Sequence, residues 1–351
     1  MADRQVEASA READRALMRR ALELAARGPC ADPNPRVGAV IVDPSGRVVG
    51  MGFHEGAGTS HAEVKALDQA GAAARGGTAV VTLEPCAHTG RTGPCTQALI
   101  EAGVARVVFG QFDPTPSGRG GAVLLEAAGI RTTAGVLGPE STALNDAWTF
   151  SFVHGRPKVT WKFAATLDGR VAAADGSSRW ITGPAARADV HRLRAQCDAI
   201  LVGTGTVIAD DPVLTVRGPA GVAAGRQPLR AIMGLRPIPQ TARVRDDGAK
   251  TLQLSTHDPA QALKVLFEAE IHHVWLEGGP TLAAAFLRAG LVDEVIAYLA
   301  PVLLGAGAPA LADLGIGAMD QALRLIPGEV TTIGPDIRIK ATIATPQGDG
   351  S

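Results

Sequence analysis

Between residues 61 and 95 the chain carries groups that work together only if the fold gathers them at one point. His61-Ala62-Glu63 supplies an imidazole and a carboxylate two residues apart, while Pro85-Cys86 and Pro94-Cys95 supply two thiols. One imidazole and two thiolates make the donor set of a zinc ion that keeps its fourth position open, which marks a catalytic rather than a structural site. A His/Cys/Cys zinc activates water, and a nearby glutamate that does not bind the metal carries protons for it. Glu63 is placed for that task. The commonest version of this signature separates its two cysteines by two residues; here eight lie between them.

Hydrophobic periodicity places these groups at the ends of elements. Residues 9–27 carry Leu17, Met18, Leu22 and Leu24 at helical spacing. Asp32-Pro33-Asn34-Pro35 breaks the chain, and Val37–Val42 with Val48–Phe53 reads as a hairpin around a Pro-Ser-Gly turn. His61–Ala74 reads as a helix capped by Ser60, and Thr78–Leu83 as a strand ending at the Glu-Pro-Cys corner. Thr96–Ala102 reads as a helix, Val104–Phe109 as a strand, Gly121–Ala128 as a helix and Ile130–Val136 as a strand. Cys95 then lies at or just before a helix N-terminus, where thiolate is favoured. A second series opens at Lys158: strand Val159–Ala164, helix Pro184–Gln196 and strand Ala199–Val202. A variable stretch rich in Pro, Gly and Arg follows over Arg217–Gly248. Strand His273–Glu277, helix Leu282–Ala289 and strand Glu294–Leu299 close the series. The tail after Thr345 reads as disordered. Strands alternating with helices imply layered α/β sheets, and 351 residues suit two domains, divided at 1–150 and 154–351.

Composition narrows the functions open to such a chain. Lys plus Arg number 34 against 35 Asp plus Glu, so no basic field attracts nucleic acid. The charged opening MADRQVEASAREADRALMRR lacks an apolar core, so no signal peptide is expected. No run of about 18 apolar residues offers a membrane span. Aromatics are 4% of the chain, so the cores rest on Ala, Val, Leu and Ile. Cys30, Cys86, Cys95 and Cys197 form no disulfide framework; Cys30 and Cys197 read as small buried residues, and the compartment as reducing and cytoplasmic. Gly203-Thr204-Gly205-Thr206 lacks the third glycine of a dinucleotide fingerprint. Gly278-Gly279-Pro280-Thr281, between a strand and a helix, suits a nucleotide phosphate or simply a tight turn. A nucleoside or tRNA deaminase with an unrelated second domain remains open, as does a regulatory module keeping zinc as structure. Neutral charge opposes the first and Glu63 the second. Both a monomer and a homo-oligomer are compatible with the sequence.

Several motifs together resemble one family. Pro33-Asn34-Pro35-Arg36-Val37-Gly38, His61-Ala62-Glu63 and the run from Thr82 through Cys95 resemble the deaminase half of the bifunctional riboflavin-biosynthesis deaminase/reductases. Lys162 to Gly169, Arg179-Trp180-Ile181-Thr182, His191 to Ala195, Asp210 to Thr215, Glu277 to Leu282 and Asp293-Glu294 resemble its reductase half, in the same order. The likeness covers about residues 12 to 315. It implies a cytidine-deaminase-like three-layer domain followed by a dihydrofolate-reductase-like α/β domain, with Zn2+ and NADPH as cofactors. It implies deamination of 2,5-diamino-6-ribosylamino-4(3H)-pyrimidinone 5′-phosphate, then reduction of the ribosyl side chain of the uracil product to ribityl. By the resemblance His61, Cys86 and Cys95 hold zinc and Glu63 is catalytic. NADPH would meet Ala164, Trp180, Thr206, Asp210, Gly279, Pro280 and Thr281. The pyrimidine ribotides would meet Asn34, His54, His88, Lys162, Ser178, Arg194, Leu214, Arg217 and Glu277, with Arg91 also near. Arg194 and Arg217 suit a ribose 5′-phosphate.

The chain departs from that pattern at three places. Asp113-Pro114-Thr115-Pro116 stands where Asp-Pro-Asn is usual, and Thr166 replaces a serine while keeping its hydroxyl. Met233-Gly234-Leu235 stands where Leu-Asp-Ser is usual, which removes a serine that the resemblance would set against the nucleotide.

Overall fold

The computed structural model describes residues 2–87, 93–218 and 225–344, and the chain divides into two compact units, Met1–Val153 and His154–Ser351. In the first unit the elements run α1 (Ala2–Ala25), β1 (Gly38–Val42), β2 (Val48–Phe53), α2 (Ala62–Ala70), β3 (Thr78–Leu83), α3 (Cys95–Ala102), β4 (Arg106–Gln111), α4 (Gly121–Ala127), β5 (Arg131–Thr133), α5 (Gly138–Leu144) and α6 (Asp146–His154). The sheet order is β2-β1-β3-β4-β5, antiparallel about β1 and parallel from β3 onward. Strands β1, β3 and β4 are buried on both faces, which is why they read as continuous apolar runs. Ala39, Ile41, Val81, Val107 and Phe109 pack on one face with Ala62, Ala66, Leu99 and Leu125 of α2, α3 and α4. Val40, Val42, Val80 and Val108 pack on the other with Met18 and Ala21 of α1. Three layers result. In α2, Ala62, Ala66 and Ala70 recur every four residues, a small-residue stripe that lets the helix lie close on the sheet.

The second unit contains β6 (Lys158–Thr166), α7 (Pro184–Arg194), β7 (Ala199–Gly203), α8 (Thr204–Asp210), β8 (Leu229–Met233), β9 (Thr251–Leu254), α9 (Pro259–Glu268), β10 (His273–Leu276), α10 (Pro280–Arg288), β11 (Glu294–Ala300), β12 (Leu325–Ile333) and β13 (Asp336–Ile343). Its eight strands order as β12-β13-β11-β6-β10-β7-β8-β9. Strands β11, β6, β10, β7, β8 and β9 are mutually parallel, and β13 pairs antiparallel with both β11 and β12. Alternate residues face opposite cores. Val159, Leu201, Val274 and Val295 meet Leu263, Leu266, Phe286 and Leu287 of α9 and α10; Ile200, Val202, Trp275 and Tyr298 meet Ala186 and Val190 of α7. Because the six parallel strands point one way, their carboxyl ends share one edge, where ligands of such sheets bind.

Several sequence expectations need correction. The N-cap of α2 is His61 rather than Ser60: His61 has extended backbone angles and its carbonyl accepts from Lys65 N at 3.2 Å. Expected strand Ile130–Val136 shortens to Arg131–Thr133, because the chain turns into α5 at Gly138. The stretch Arg217–Gly248 holds β8, an interior strand, and Gly203–Thr206 forms the N-cap and first turn of α8. Cys30 is exposed, its sulfur 3.6 Å from Arg36 Nη1 in the loop after α1, whereas Cys197 is buried. The tail after Thr345 lies outside the described residues.

Candidate functional site

His61, Cys86 and Cys95 meet where the carboxyl end of β3 faces the starts of α2 and α3. His61 Nδ1 lies 3.0 Å from Cys95 Sγ and 3.7 Å from Cys86 Sγ, and one ligand atom from each residue lies within 4.8 Å of the others. Tetrahedral zinc, with bonds of about 2.3 Å to sulfur and about 2.0 Å to nitrogen, needs donors spaced on that scale. The set therefore fits the ion. Cys95 is the first residue of α3, and its backbone N lies 3.4 Å from Cys86 Sγ, so helix amides face the sulfurs. A hydrogen bond from Cys95 brings the Cys86 thiol down to about 4, and the same bond together with burial pushes the Cys95 thiol up. Glu63, in the first turn of α2, is 4% exposed, and burial raises its carboxyl.

Two further anchors hold this centre. Glu84 is buried; its carboxylate accepts from Asp113 N at 3.2 Å and Ala122 N at 3.0 Å. The Pro85-Cys86 corner is thereby tied to the end of β4 and the start of α4. Gly121 is required for the approach, since a Cβ there would fall 1.8 Å from the Pro85 carbonyl oxygen. On the other side Asn34 Nδ2 lies 3.1 Å from His54 Nε2, and His54 Nδ1 lies 3.3 Å from the Ser60 carbonyl. An Nδ1–H tautomer of His54 satisfies both bonds, and burial lowers its basicity. The His54 ring stands edge-on to His61 at 5.6 Å. Asp32 accepts from Asn34 N at 3.0 Å and from Ala57 N at 3.1 Å, and so fixes both loops. His88 and Arg91 lie outside the described residues.

In the second unit Arg194, Glu277 and Lys162 come together. Arg194 Nε donates to Glu277 Oε1 at 2.9 Å and Arg194 Nη2 donates to Oε2; Nη1 reaches the Thr215 carbonyl at 3.4 Å. The indole N–H of Trp275, two residues before Glu277 on β10, also donates to that carboxylate. Burial alone would raise the Glu277 carboxyl, but the charges of Arg194 and Lys162 and these hydrogen bonds hold it at about 2. Burial pushes the Lys162 ammonium down, with Glu277 opposing that shift. Arg217 has an exposed side chain, and its backbone N donates to His191 Nδ1 at 3.3 Å. The bidentate fork of Arg194 is therefore turned to Glu277, and Arg217 offers the outward guanidinium.

The remaining expected positions spread along the carboxyl edge. Gly279, Pro280 and Thr281 form the N-cap and first turn of α10, and Thr206 and Asp210 lie in α8. Ala164 lies on β6 against the α7-side core. Leu214 is buried with φ of +51°, a left-handed conformation rare for leucine. Ser178 is exposed. Trp180 is 70% exposed beneath the Arg187 guanidinium, 4.3 Å from its ring centre. It borders a cavity of about 450 Å3 with Thr182, Val302 and Asp336. Asp32, His191 and Trp275 received no role from the sequence. Trp275 was within reach, because residues two apart on a strand share a face.

Comparison with known proteins agrees with this division. Residues 11–111 match the cytidine and deoxycytidylate deaminase zinc-binding region, and residues 157–339 match the RibD C-terminal domain. The class is thus a zinc-deaminase unit followed by a RibD-type reductase unit. More particularly, the chain belongs to the riboflavin biosynthesis protein RibD family. It is 52% identical to that protein of Mycobacterium tuberculosis over 307 residues, which cover 87% of this chain and 90% of the relative. Its identity to the Escherichia coli protein is 43%, over 92% of this chain and 98% of the relative. The structure of Acinetobacter baumannii RibD superposes with a TM-score of 0.88 at 40% identity, covering 95% of this chain and 100% of that one. The Thermotoga maritima diaminohydroxyphosphoribosylaminopyrimidine deaminase/5-amino-6-(5-phosphoribosylamino)uracil reductase superposes with a TM-score of 0.85 at 32% identity, covering 95% and 99%. No helix among the described residues is long and apolar enough to cross a membrane.

Proposed function

We propose that the chain catalyses two consecutive steps of riboflavin biosynthesis, one in each unit. The first unit hydrolytically deaminates 2,5-diamino-6-ribosylamino-4(3H)-pyrimidinone 5′-phosphate. The second reduces the ribosyl side chain of 5-amino-6-(5-phosphoribosylamino)uracil to ribityl with NADPH. The observation that carries this reading is the convergence of His61, Cys86 and Cys95 within 4.8 Å beside the buried Glu63. When bound there, zinc supplies the Lewis acidity that makes water a nucleophile at neutral pH. The Glu63 carboxylate takes one proton from that water and passes it to the ring nitrogen, then carries the second, from the added hydroxyl, to the amine, which departs as ammonia. Asn34 and His54, already bonded to each other, set the pyrimidine in place, with His88 completing that contact set.

In the second unit the carboxyl edge of the parallel sheet aligns the nicotinamide with the ribosyl carbon. NADPH, when bound, supplies the hydride. Ala164, Trp180, Thr206, Asp210 and the Gly279-Pro280-Thr281 turn line the dinucleotide. Lys162, Ser178, Leu214 and Glu277 face the substrate. Arg217 takes its phosphate, and Arg194 both adds to that charge and orients Glu277. The thiols must stay reduced to hold zinc, so the cytoplasm is the proposed location. The test is to incubate the purified chain with the diaminopyrimidine ribotide and NADPH while following ammonia and NADPH. Ammonia release that does not require NADPH, followed by one NADPH oxidised per ammonia, is expected. NADPH oxidation with no ammonia released would overturn the order and the assignment.

A further inference from the structure

The loop between α1 and β1 brings Asn34 against His54, and its exit into β1 is held at three consecutive residues. Arg36 N donates to Asn145 Oδ1 at 2.8 Å, and Asn145 Nδ2 donates to the Arg36 carbonyl at 2.8 Å. The Val37 carbonyl accepts from His54 N at 2.9 Å, and Gly38 N donates to Thr82 Oγ1 at 3.2 Å. Gly38 itself lies where no side chain fits, since a Cβ there would fall 2.0 Å from the Ala21 carbonyl oxygen of α1. The second and third contacts come from the strands beside β1. The first comes from 109 residues away, at the junction of α5 and α6.

Asn145 is placed for that reach. Its N donates to the Thr142 carbonyl at 3.0 Å, closing α5, and its carbonyl accepts from Thr149 N at 2.8 Å, opening α6. Both backbone groups are engaged within the helices, and the side chain, 7% exposed, is left for the loop. A primary amide carries an acceptor and donors side by side. It therefore exchanges two hydrogen bonds with one residue, as a neighbouring antiparallel strand would. The Arg36 guanidinium donates to the Leu144 carbonyl and ties the same two segments again. Fixing Arg36 in this way fixes the direction from which Asn34, two residues earlier, meets His54 at 3.1 Å. We propose that Asn145 is a positioning residue of the deaminase, which acts through Arg36 to hold the Asn34–His54 pair where the pyrimidine is received. The proposal rests on the deaminase reading of the first unit.

Steady-state ammonia release by the zinc-loaded full chain tests this. Asn145→Ala should keep its zinc and raise KM for the diaminopyrimidine ribotide about five- to fiftyfold, the scale of one or two lost hydrogen bonds. The turnover number should change far less, because contacts that hold substrate and transition state alike act on KM. Asn145→Asp keeps the acceptor for Arg36 N but turns an oxygen to the Arg36 carbonyl. It should raise KM as well, and it replaces the alanine variant if that one does not fold. The decisive readout is the double variant with Asn34→Ala. If Asn145 acts through the Asn34–His54 pair, its effect on KM should shrink markedly in the Asn34→Ala background, whereas a merely structural role leaves the two effects additive. An unchanged KM in a folded, zinc-loaded variant, or full additivity, overturns the proposal while the deaminase reading stands. If the wild type releases no ammonia from this substrate, both fall together.

Discussion

The N-terminal site gathers an imidazole and two thiols whose charge a cation completes, whereas in the C-terminal unit Arg194, Lys162 and Glu277 complete one another. The difference lies in where each set sits. His61, Cys86 and Cys95 come from three element ends within a 35-residue stretch, and the Cys95 backbone amide at the start of α3 donates to the Cys86 sulfur at 3.4 Å. The C-terminal set spans β6, α7 and the end of β10, and its internal ion pair shapes it before any ligand arrives. One site is thus sensitive to its metal supply, the other to the pairing of its own side chains.

The sharpest contrast comes from removing one member of each set. In Cys86→Ser the zinc content, measured by metal analysis, should fall from about one per chain to near none, with deamination lost and reduction of the uracil ribotide intact. Full zinc retention would remove Cys86 from the centre. Glu63→Gln should keep the metal yet slow ammonia release by about two orders of magnitude or more. Near-normal release would end its assignment as proton carrier. Arg194→Ala removes the bidentate partner of the buried Glu277, leaving only Lys162 and the Trp275 indole, and should destabilise the C-terminal unit by about 3 kcal/mol. Denaturant unfolding reads this, and the double variant Arg194→Ala/Glu277→Gln should recover part of the loss.

Acid separates the two sites further. The folded Glu277 carboxyl is held at about 2 against an ordinary value of 4.5. Its contribution is therefore complete above pH 4.5 and disappears as the pH falls toward 2, with a total of about 3 kcal/mol. Unfolding of wild type and Glu277→Gln compared from pH 6 to pH 3 should show the wild-type advantage shrinking across the lower half of that range. A constant difference would contradict the pairing. The smallest effect belongs to Arg217→Ala, which should cost about 1.5–3 kcal/mol of substrate binding, mainly as raised KM. The variant should become nearly indifferent to the substrate's 5′-phosphate; equal discrimination by both enzymes would place that phosphate elsewhere.

How much of this was legible in the sequence also divides by unit. The donor types His61, Cys86 and Cys95 could be read directly, because few other structures need one imidazole, two thiols and an adjacent glutamate. The apolar runs of β1, β3 and β4 identified buried strands for the same reason. What could not be read was pairing. Arg194 and Arg217 looked equivalent, since nothing local announces that a guanidinium will turn to a carboxylate 83 residues away. Strand β8 was hidden within a Pro/Gly/Arg-rich stretch because its polar flanks outweighed five residues of strand. The β12–β13 hairpin escaped because its outer strand is mostly exposed and is interrupted at Pro327-Gly328.

That hairpin bears on how the protein is made. Strand β11 pairs with β6 on one side and with β13 on the other, and β13 follows every other strand in chain order. During synthesis, which proceeds at about 5–20 residues per second, the first unit is complete while nearly 200 residues are still to come. The second keeps the bare amide and carbonyl row of β11 open until the hairpin emerges. An interrupted nascent chain would therefore yield a finished first domain joined to an unsealed sheet prone to pairing with other chains.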